Sequence, residues 1–310
     1  MTAIAPQEIR YIKLGRGGRW ARRALEEGEL HFGYPDVPHA LCRAGDWQAV
    51  ADLLMAQGRG NGKAKDGVRE IRDFYTLGGD CLWITFADGQ LWWAFAEPEV
   101  TWLGDGGEAH GARMRKTRDG WHNADINGQA LRMDSLSTRL TQTAAYRATI
   151  CRIKDEGYLL RRINGEEEPL VVKARDARSG MLKAAGAMIK ALHWADFETL
   201  VDLIFARSGW QRVSRVGETQ ADVDLVLEQP ATGERAFVQV KSKATQSVLD
   251  DYLERYRRNG GYTRFFFICH SPAASLSVDG CDRLHVWVGD ALADAAVRAG
   301  LFDWLMERVG

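Results

Sequence analysis

The sequence predicts two domains: an α+β domain over residues 1–188 and an α/β domain over 189–310. Three observations predict this. A chain of 310 residues with 45% apolar content can bury two separate cores. Between Cys81 and Ala96 apolar residues alternate with period two around Asp88-Gly89, the signature of a tight hairpin. From Leu192 onward amphipathic helical stretches alternate with short apolar runs, and Arg264–Cys269 is apolar enough for a strand covered on both faces.

Composition excludes several function classes. Residues 1–10 lack the basic and apolar segments of a signal peptide, and no apolar run approaches the roughly 18 residues of a membrane span. Five cysteines stand at no metal-ligand or redox spacing, so they are expected as reduced thiols and the chain as cytoplasmic, with no membrane partner. Residues 1–190 hold 28 basic and 25 acidic side chains, and residues 191–310 hold 13 and 17. Neither half announces nucleic acid by charge alone, so any such contact must come from local clusters.

Within residues 1–188, a strand over Ile9–Leu14 runs into the glycine turn Gly15-Arg16-Gly17-Gly18, followed by a helix over Trp20–Glu27 closed by Gly28. The turn and its two arginines read either as a plain tight turn or as an anion contact. It lacks the Lys-Ser/Thr of a P-loop. Leu30–Tyr34 predicts a strand and Asp46–Gln57 a helix, then 58–65 a basic loop and Asp66–Leu77 a further helix. After the hairpin come a basic strand over Ala112–Arg118 with Trp121–Ile126 as its partner, a helical stretch over Met133–Thr143, and a last hairpin from Tyr146–Ile153 and Leu159–Ile163.

Two clusters here are candidates for nucleic-acid contact. Trp83, Trp92 and Trp93 lie in a stretch crowded with aromatics, and the adjacent Trp92 and Trp93 must point to opposite faces of one strand. One of them is free to stack on a flipped base, and the competing reading is that all three fill a core. Arg113, Arg115, Lys116 and Arg118 would meet phosphate, or else keep an edge strand soluble. Element order, with the strand phrases at 11–15 and 79–86, resembles the PUA-like superfamily of EVE, ASCH, YTH and SRA domains. That resemblance implies a partly open barrel with peripheral helices, holding a modified or flipped base.

The second domain is organised around Phe237-Val238-Gln239-Val240-Lys241, where period-two geometry puts the Gln239 amide and the Lys241 ammonium on one face of a strand. Upstream lie a second apolar run, Val223–Glu228, entered through Asp222 and Asp224, and an amphipathic helix carrying Glu198. The order of helix 194–204, Gly209-Trp210, Asp224 and Gln239-Val240-Lys241 resembles the Mrr-type restriction endonucleases of the PD-(D/E)xK superfamily. This resemblance implies a mixed sheet flanked by helices. Ala221-Asp222-Val223-Asp224 stands where the family carries Gly-Gly-x-Asp, so Asp222 remains an alternative to Asp224 as ligand.

The resemblance implies a catalytic set of Asp224, Gln239, Lys241 and Glu198. It implies Mg²⁺, with Mn²⁺ able to substitute, held by Asp224, Gln239, the Val240 carbonyl and Glu198. Lys241 would orient water or stabilise charge on the phosphate. The expected function is a metal-dependent DNA endonuclease with an attached reader of base-modified or foreign double-stranded DNA. Cutting both strands with one site per chain suggests a homodimer. Two alternatives stay open: a non-catalytic or RNA-directed nucleic-acid-binding protein, and an effector nuclease regulated by a nucleotide or protein that the first domain senses.

Overall fold

The computed structural model describes residues 2–107, 109–213, 224–278 and 282–310. The chain divides into two compact units, Met1–Pro169 and Leu170–Gly310.

In the first unit the elements run β1 (Glu8–Ile12), α1 (Ala21–Glu27), β2 (Glu29–Phe32), α2 (His39–Ala44), α3 (Trp47–Ala56), α4 (Asn61–Thr76), β3 (Cys81–Ala87), β4 (Gln90–Phe95), β5 (Thr101–Trp102), β6 (Arg113–Lys116), α5 (Thr138–Thr141), β7 (Ile150–Arg152) and α6 (Glu156–Ile163). The predicted hairpin forms β3 and β4, with Asp88 and Gly89 both at positive φ as a two-residue turn of this hand requires. Gly28 takes the left-handed position after α1, and its N–H closes on Ala24 O. Asp46 caps α3 by accepting from Ala49 N.

The strands form two sheets, one ordered β4-β3-β1-β7 and the other β2-β6-β5. Where a partly open barrel was expected, two sheets meet at one end and, among the described residues, do not close. β4 and β7 are the outer strands of the first sheet, and β4 is lined along its outer side by bridges to His122 and Arg132. A single bridge, Ala96 to Thr117, runs between the sheets.

Several local expectations are corrected. Leu159–Ile163 is helical in α6, since Leu159 and Ile163 stand one turn apart and bury together. The strand β7 therefore pairs with β1 instead of forming a hairpin. β6 pairs with β2 and β5, while 121–126 bridges back to β4 through Trp93 and His122. The expected basic loop at 58–65 is largely the first turn of α4, and 133–143 breaks into short turns.

The second unit contains α7 (Pro169–Ala191), α8 (Trp194–Arg207), β8 (Gln211–Arg212), β9 (Leu225–Gln229), β10 (Glu234–Lys241), α9 (Gln246–Arg258), β11 (Arg264–Cys269), β12 (Leu284–Val288), α10 (Gly289–Arg298) and α11 (Phe302–Val309). The compact division falls earlier than the expected boundary near 188, because α7 buries Ala185 and Ile189 in the core of this unit.

Its five strands lie in the order β12-β11-β10-β9-β8. β10 runs parallel to β11 and antiparallel to β9, so the sheet is mixed as expected. Alternation along β10 divides the core in two. Ala236, Val238 and Val240 pack with Phe197, Leu200 and Leu292 on one face, and Phe237 packs with Leu249, Leu253 and Phe265 on the other. Gln239 and Lys241 share the Phe237 face, which α9 covers.

Candidate active site

The site is built where β9 begins beside the end of β10. Val238 pairs with Leu225, so the next residue outward on β9 is Asp224, opposite Gln239 and Val240. The Asp224 carboxylate is held there by three donors. Gln239 Nε2 hydrogen-bonds Asp224 Oδ2, the Val240 N–H donates to the same oxygen at 2.8 Å, and Lys241 Nζ stands 3.7 Å from it. In an antiparallel pair the N–H and C=O of one residue face the same neighbour, so the Val240 carbonyl lies on the Asp224 side as well.

Gln239 is 1% exposed. Its amide can be placed only one way, because turning it would set oxygen against the carboxylate oxygen. Among the described residues, Oε1 is therefore left buried without a hydrogen-bond partner. An orphaned buried acceptor costs about 1–3 kcal/mol. That cost is removed if a donor or a hard cation occupies the position beside it. Carboxylate, amide oxygen and backbone carbonyl form an all-oxygen donor set of the kind Mg²⁺ prefers. With an amide in place of a second carboxylate, the described residues contain no cluster of three His, Cys, Asp or Glu side chains able to hold a metal.

Lys241 is fixed from two sides, by Asp224 and by the Tyr252 ring on α9, whose centroid is 5.2 Å from Nζ. Arg255 lies over the same ring at 4.9 Å. Nothing in the residues around Tyr252 marks it as part of a site. Its role beside Lys241 emerges from the α9 packing.

Glu198 stands apart from this group. It lies on α8, over the opposite face of the sheet, and makes no hydrogen bond or ion pair with the other three. It still senses them. Desolvation raises its pKa, the Asp224 charge raises it further, and Lys241 and Arg212 oppose the shift. Asp222 lies outside the described residues.

The residues expected to contact nucleic acid fare differently. Trp83 is fully buried in the first unit's core, between Phe74 and the Arg115 guanidinium. Trp93 is also buried, stacked on His122 and bonded from Nε1 to Ala124 O at 2.8 Å. Trp92 is half-buried, with Nε1 on Ala87 O. Arg113 and Arg115 are completely buried and serve as internal struts. Arg113 donates to Tyr75 Oη and to the carbonyls of Gly33, Tyr34 and Val37, and it stacks on Trp102. Arg115 donates to the carbonyls of Glu97, Phe74 and Ala96, and burial pushes its pKa down to about 10. A phosphate reaches none of these buried groups. Lys116 and Arg118 are solvent-exposed, paired with Glu29 and Glu97.

The second unit thus combines a mixed sheet, helices on both of its faces, and a carboxylate, an amide and a lysine where two paired strands meet. In comparison with known families, residues 189–295 match the Mrr catalytic family, described as restriction endonuclease. The match to a restriction-endonuclease domain falls within the second unit and covers the strands and helices that build the site. No curated protein and no solved structure matches the chain. No helix among the described residues is long and apolar enough to cross a membrane.

Proposed function

We propose that the protein is a divalent-cation-dependent DNA endonuclease of the cytoplasm, acting on double-stranded DNA as a homodimer, and that its first unit restricts cutting to base-modified or foreign DNA. The observation that carries this reading is the arrangement around Asp224. One carboxylate is gripped by Gln239, Val240 and Lys241, next to a buried amide oxygen with no partner among the described residues.

Asp224, Gln239 Oε1, the Val240 carbonyl and Glu198 are the groups to hold Mg²⁺ or Mn²⁺. When bound, the cation supplies Lewis acidity at the phosphate and a hydroxide near neutral pH. The chain's own contribution is positioning and charge. Lys241 presents up to three donors beside Asp224, placed to hydrogen-bond a non-bridging phosphate oxygen or the attacking water. Glu198, whose raised pKa weakens its hold on the ionised form, completes the anionic side of the site and can accept a proton from water.

Plasmid cleavage tests the reading. Wild type nicks or cuts supercoiled DNA with Mg²⁺ or Mn²⁺ and is silent in chelator, and Asp224→Ala and Lys241→Ala each lose at least a hundredfold in rate. Equal cutting by all three proteins would sink it. Comparing base-modified with unmodified plasmid tests selectivity, and equal rates on both remove the reader from the proposal.

A further inference from the structure

The first unit contains a cavity of about 510 Å³ that no residue of the nuclease site touches. Its wall is the glycine turn after β1. Gly15, Gly17 and Gly18 all have positive φ, and a Cβ at Gly15 would lie 2.7 Å from the Trp20 ring. The tight turn that results sets Arg16 and Arg19 on the cavity rim. Lys13 from the strand end and Arg147 from the segment before β7 complete the ring, because β7 pairs alongside β1.

Four cationic side chains and one acid, Asp105, line the cavity among the described residues, with Lys13 Nζ also donating to Tyr146 O. Among the described residues, Arg16, Arg19 and Arg147 pair with no carboxylate. Among the other exposed arginines of this unit, Arg22, Arg23 and Arg132 are neutralised by Glu26, Glu27 and Asp134, whereas Arg43 and Arg72 stand singly away from any such cluster. An unneutralised cluster in a concave site is poised for an anion.

Two aromatic residues are among the rest of the lining, and each carries a guanidinium over its ring, Arg19 on Trp20 and Arg59 on Tyr34. Trp20 lines the cavity with its Nε1 tied to Gly107 O, and Tyr34 lines it opposite. Tyr34 is one of only two non-glycine residues at positive φ among the described residues, and it is locked there by its hydroxyl on the buried Glu70 carboxylate at 2.8 Å. Strained, rigidly held side chains of this kind cluster at ligand sites. A volume in the usual range of ligand pockets, a cationic rim and two aromatic side chains are complementary to one chemistry, a phosphate joined to a flat apolar group.

We infer that this cavity binds a nucleoside phosphate, with Arg16, Arg19, Lys13 and Arg147 on the phosphate and the Trp20 and Tyr34 side receiving the base. The inference deepens the reading of the first unit as the selectivity module and is independent of the nuclease chemistry. The nucleotide can be free, or one unit of a DNA strand.

The test is calorimetric titration of the full-length protein in chelator, so that no cleavage occurs. The probes are deoxynucleoside 5′-monophosphates, the matching nucleosides, inorganic phosphate and a short oligonucleotide. Nucleotides bind, and nucleosides and inorganic phosphate each bind at least tenfold more weakly. The double variant Arg16→Ala/Arg147→Ala loses at least tenfold in nucleotide affinity, whereas Arg22→Ala/Arg23→Ala, the same charge change on α1, loses less than twofold. The oligonucleotide arm, read as the difference between wild type and Arg16→Ala/Arg147→Ala, identifies the source: a larger loss than for the monomer assigns the site to strand DNA, a smaller one to free nucleotide. The inference is overturned if no phosphate-bearing probe binds at millimolar concentration, if nucleosides bind as tightly as nucleotides, or if both double variants behave alike. Failure of the nuclease reading shows separately, in plasmid cutting by the wild type.

Discussion

Gln239 gives its amide Nε2 to the Asp224 carboxylate and keeps its own Oε1 buried with no partner among the described residues. A glutamate in place of Gln239 would set two carboxylates side by side, where like charges resist joint ionisation. Gln239→Glu is therefore expected to lower metal-free stability at neutral pH by about 1–3 kcal/mol, and Mg²⁺ or Mn²⁺ restores it. The same variant needs less metal for half-maximal cutting. Thermal melts with and without Mg²⁺ decide: a loss of Tm that the cation leaves unchanged contradicts cation binding at this corner.

Glu198 gives a second, pH-dependent check. Its folded pKa is raised, first by desolvation and then by Asp224, against the opposing Lys241 and Arg212. A raised carboxyl pKa means that this group's contribution to stability is fully present below the ordinary glutamate pKa, and is lost as pH rises through the folded value. Ionised Glu198 thus disfavours the metal-free fold at neutral pH. Glu198→Gln should melt higher than wild type at pH 7 without metal, the two should converge near pH 4, and Mg²⁺ should raise wild type more than the variant. A difference in Tm that is constant across pH would show that Glu198 is not coupled to the site.

How much of this was legible in the sequence depended on the range of the interactions. Period-two alternation, Asp88-Gly89, the Gly28 cap and the helical spacing of apolar residues in 46–57 are local, and they placed β3, β4, α1 and α3. Asp224, Gln239 and Lys241 were legible because their order along the chain becomes adjacency once β9 and β10 pair. Arg113 and Arg115 misled because a strand of alternating basic residues looks like a solvated edge. The strand in fact lies between β2 and β5, so both guanidiniums turn inward and find backbone carbonyls. Arg147 carried no local signal. Only the pairing of β7 with β1 brings it to the glycine turn.

The buried arginines predict a stability effect instead of a DNA effect. Arg113→Ala removes a guanidinium that satisfies the carbonyls of Gly33, Tyr34 and Val37, and each orphaned buried acceptor costs about 1–3 kcal/mol. A loss on the order of 3 kcal/mol or more is expected by chemical denaturation. Arg118→Ala, at an exposed ion pair with Glu97, should cost under about 1 kcal/mol. If Arg113→Ala were as stable as wild type but bound DNA more weakly, a phosphate role would replace the structural one.

Tyr252 predicts how Lys241 is held. The ammonium sits 5.2 Å from the ring centroid and 3.7 Å from Asp224 Oδ2, so removing the ring leaves the lysine anchored on one side only. Cation–π contacts contribute roughly 0.5–2 kcal/mol, which corresponds to a fall in rate of about two- to thirtyfold if the lysine acts in the transition state. Tyr252→Phe keeps the ring face and should cut DNA at close to the wild-type rate, whereas Tyr252→Leu should lose kcat and kcat/KM together, with KM little changed. The two variants need matching melts, since both keep an apolar side chain against Phe267. Should Leu and Phe cut equally well, Lys241 is positioned by Asp224 alone. Should Tyr252→Phe fall as far as Tyr252→Leu, the phenol hydroxyl and not the ring face is what the site uses.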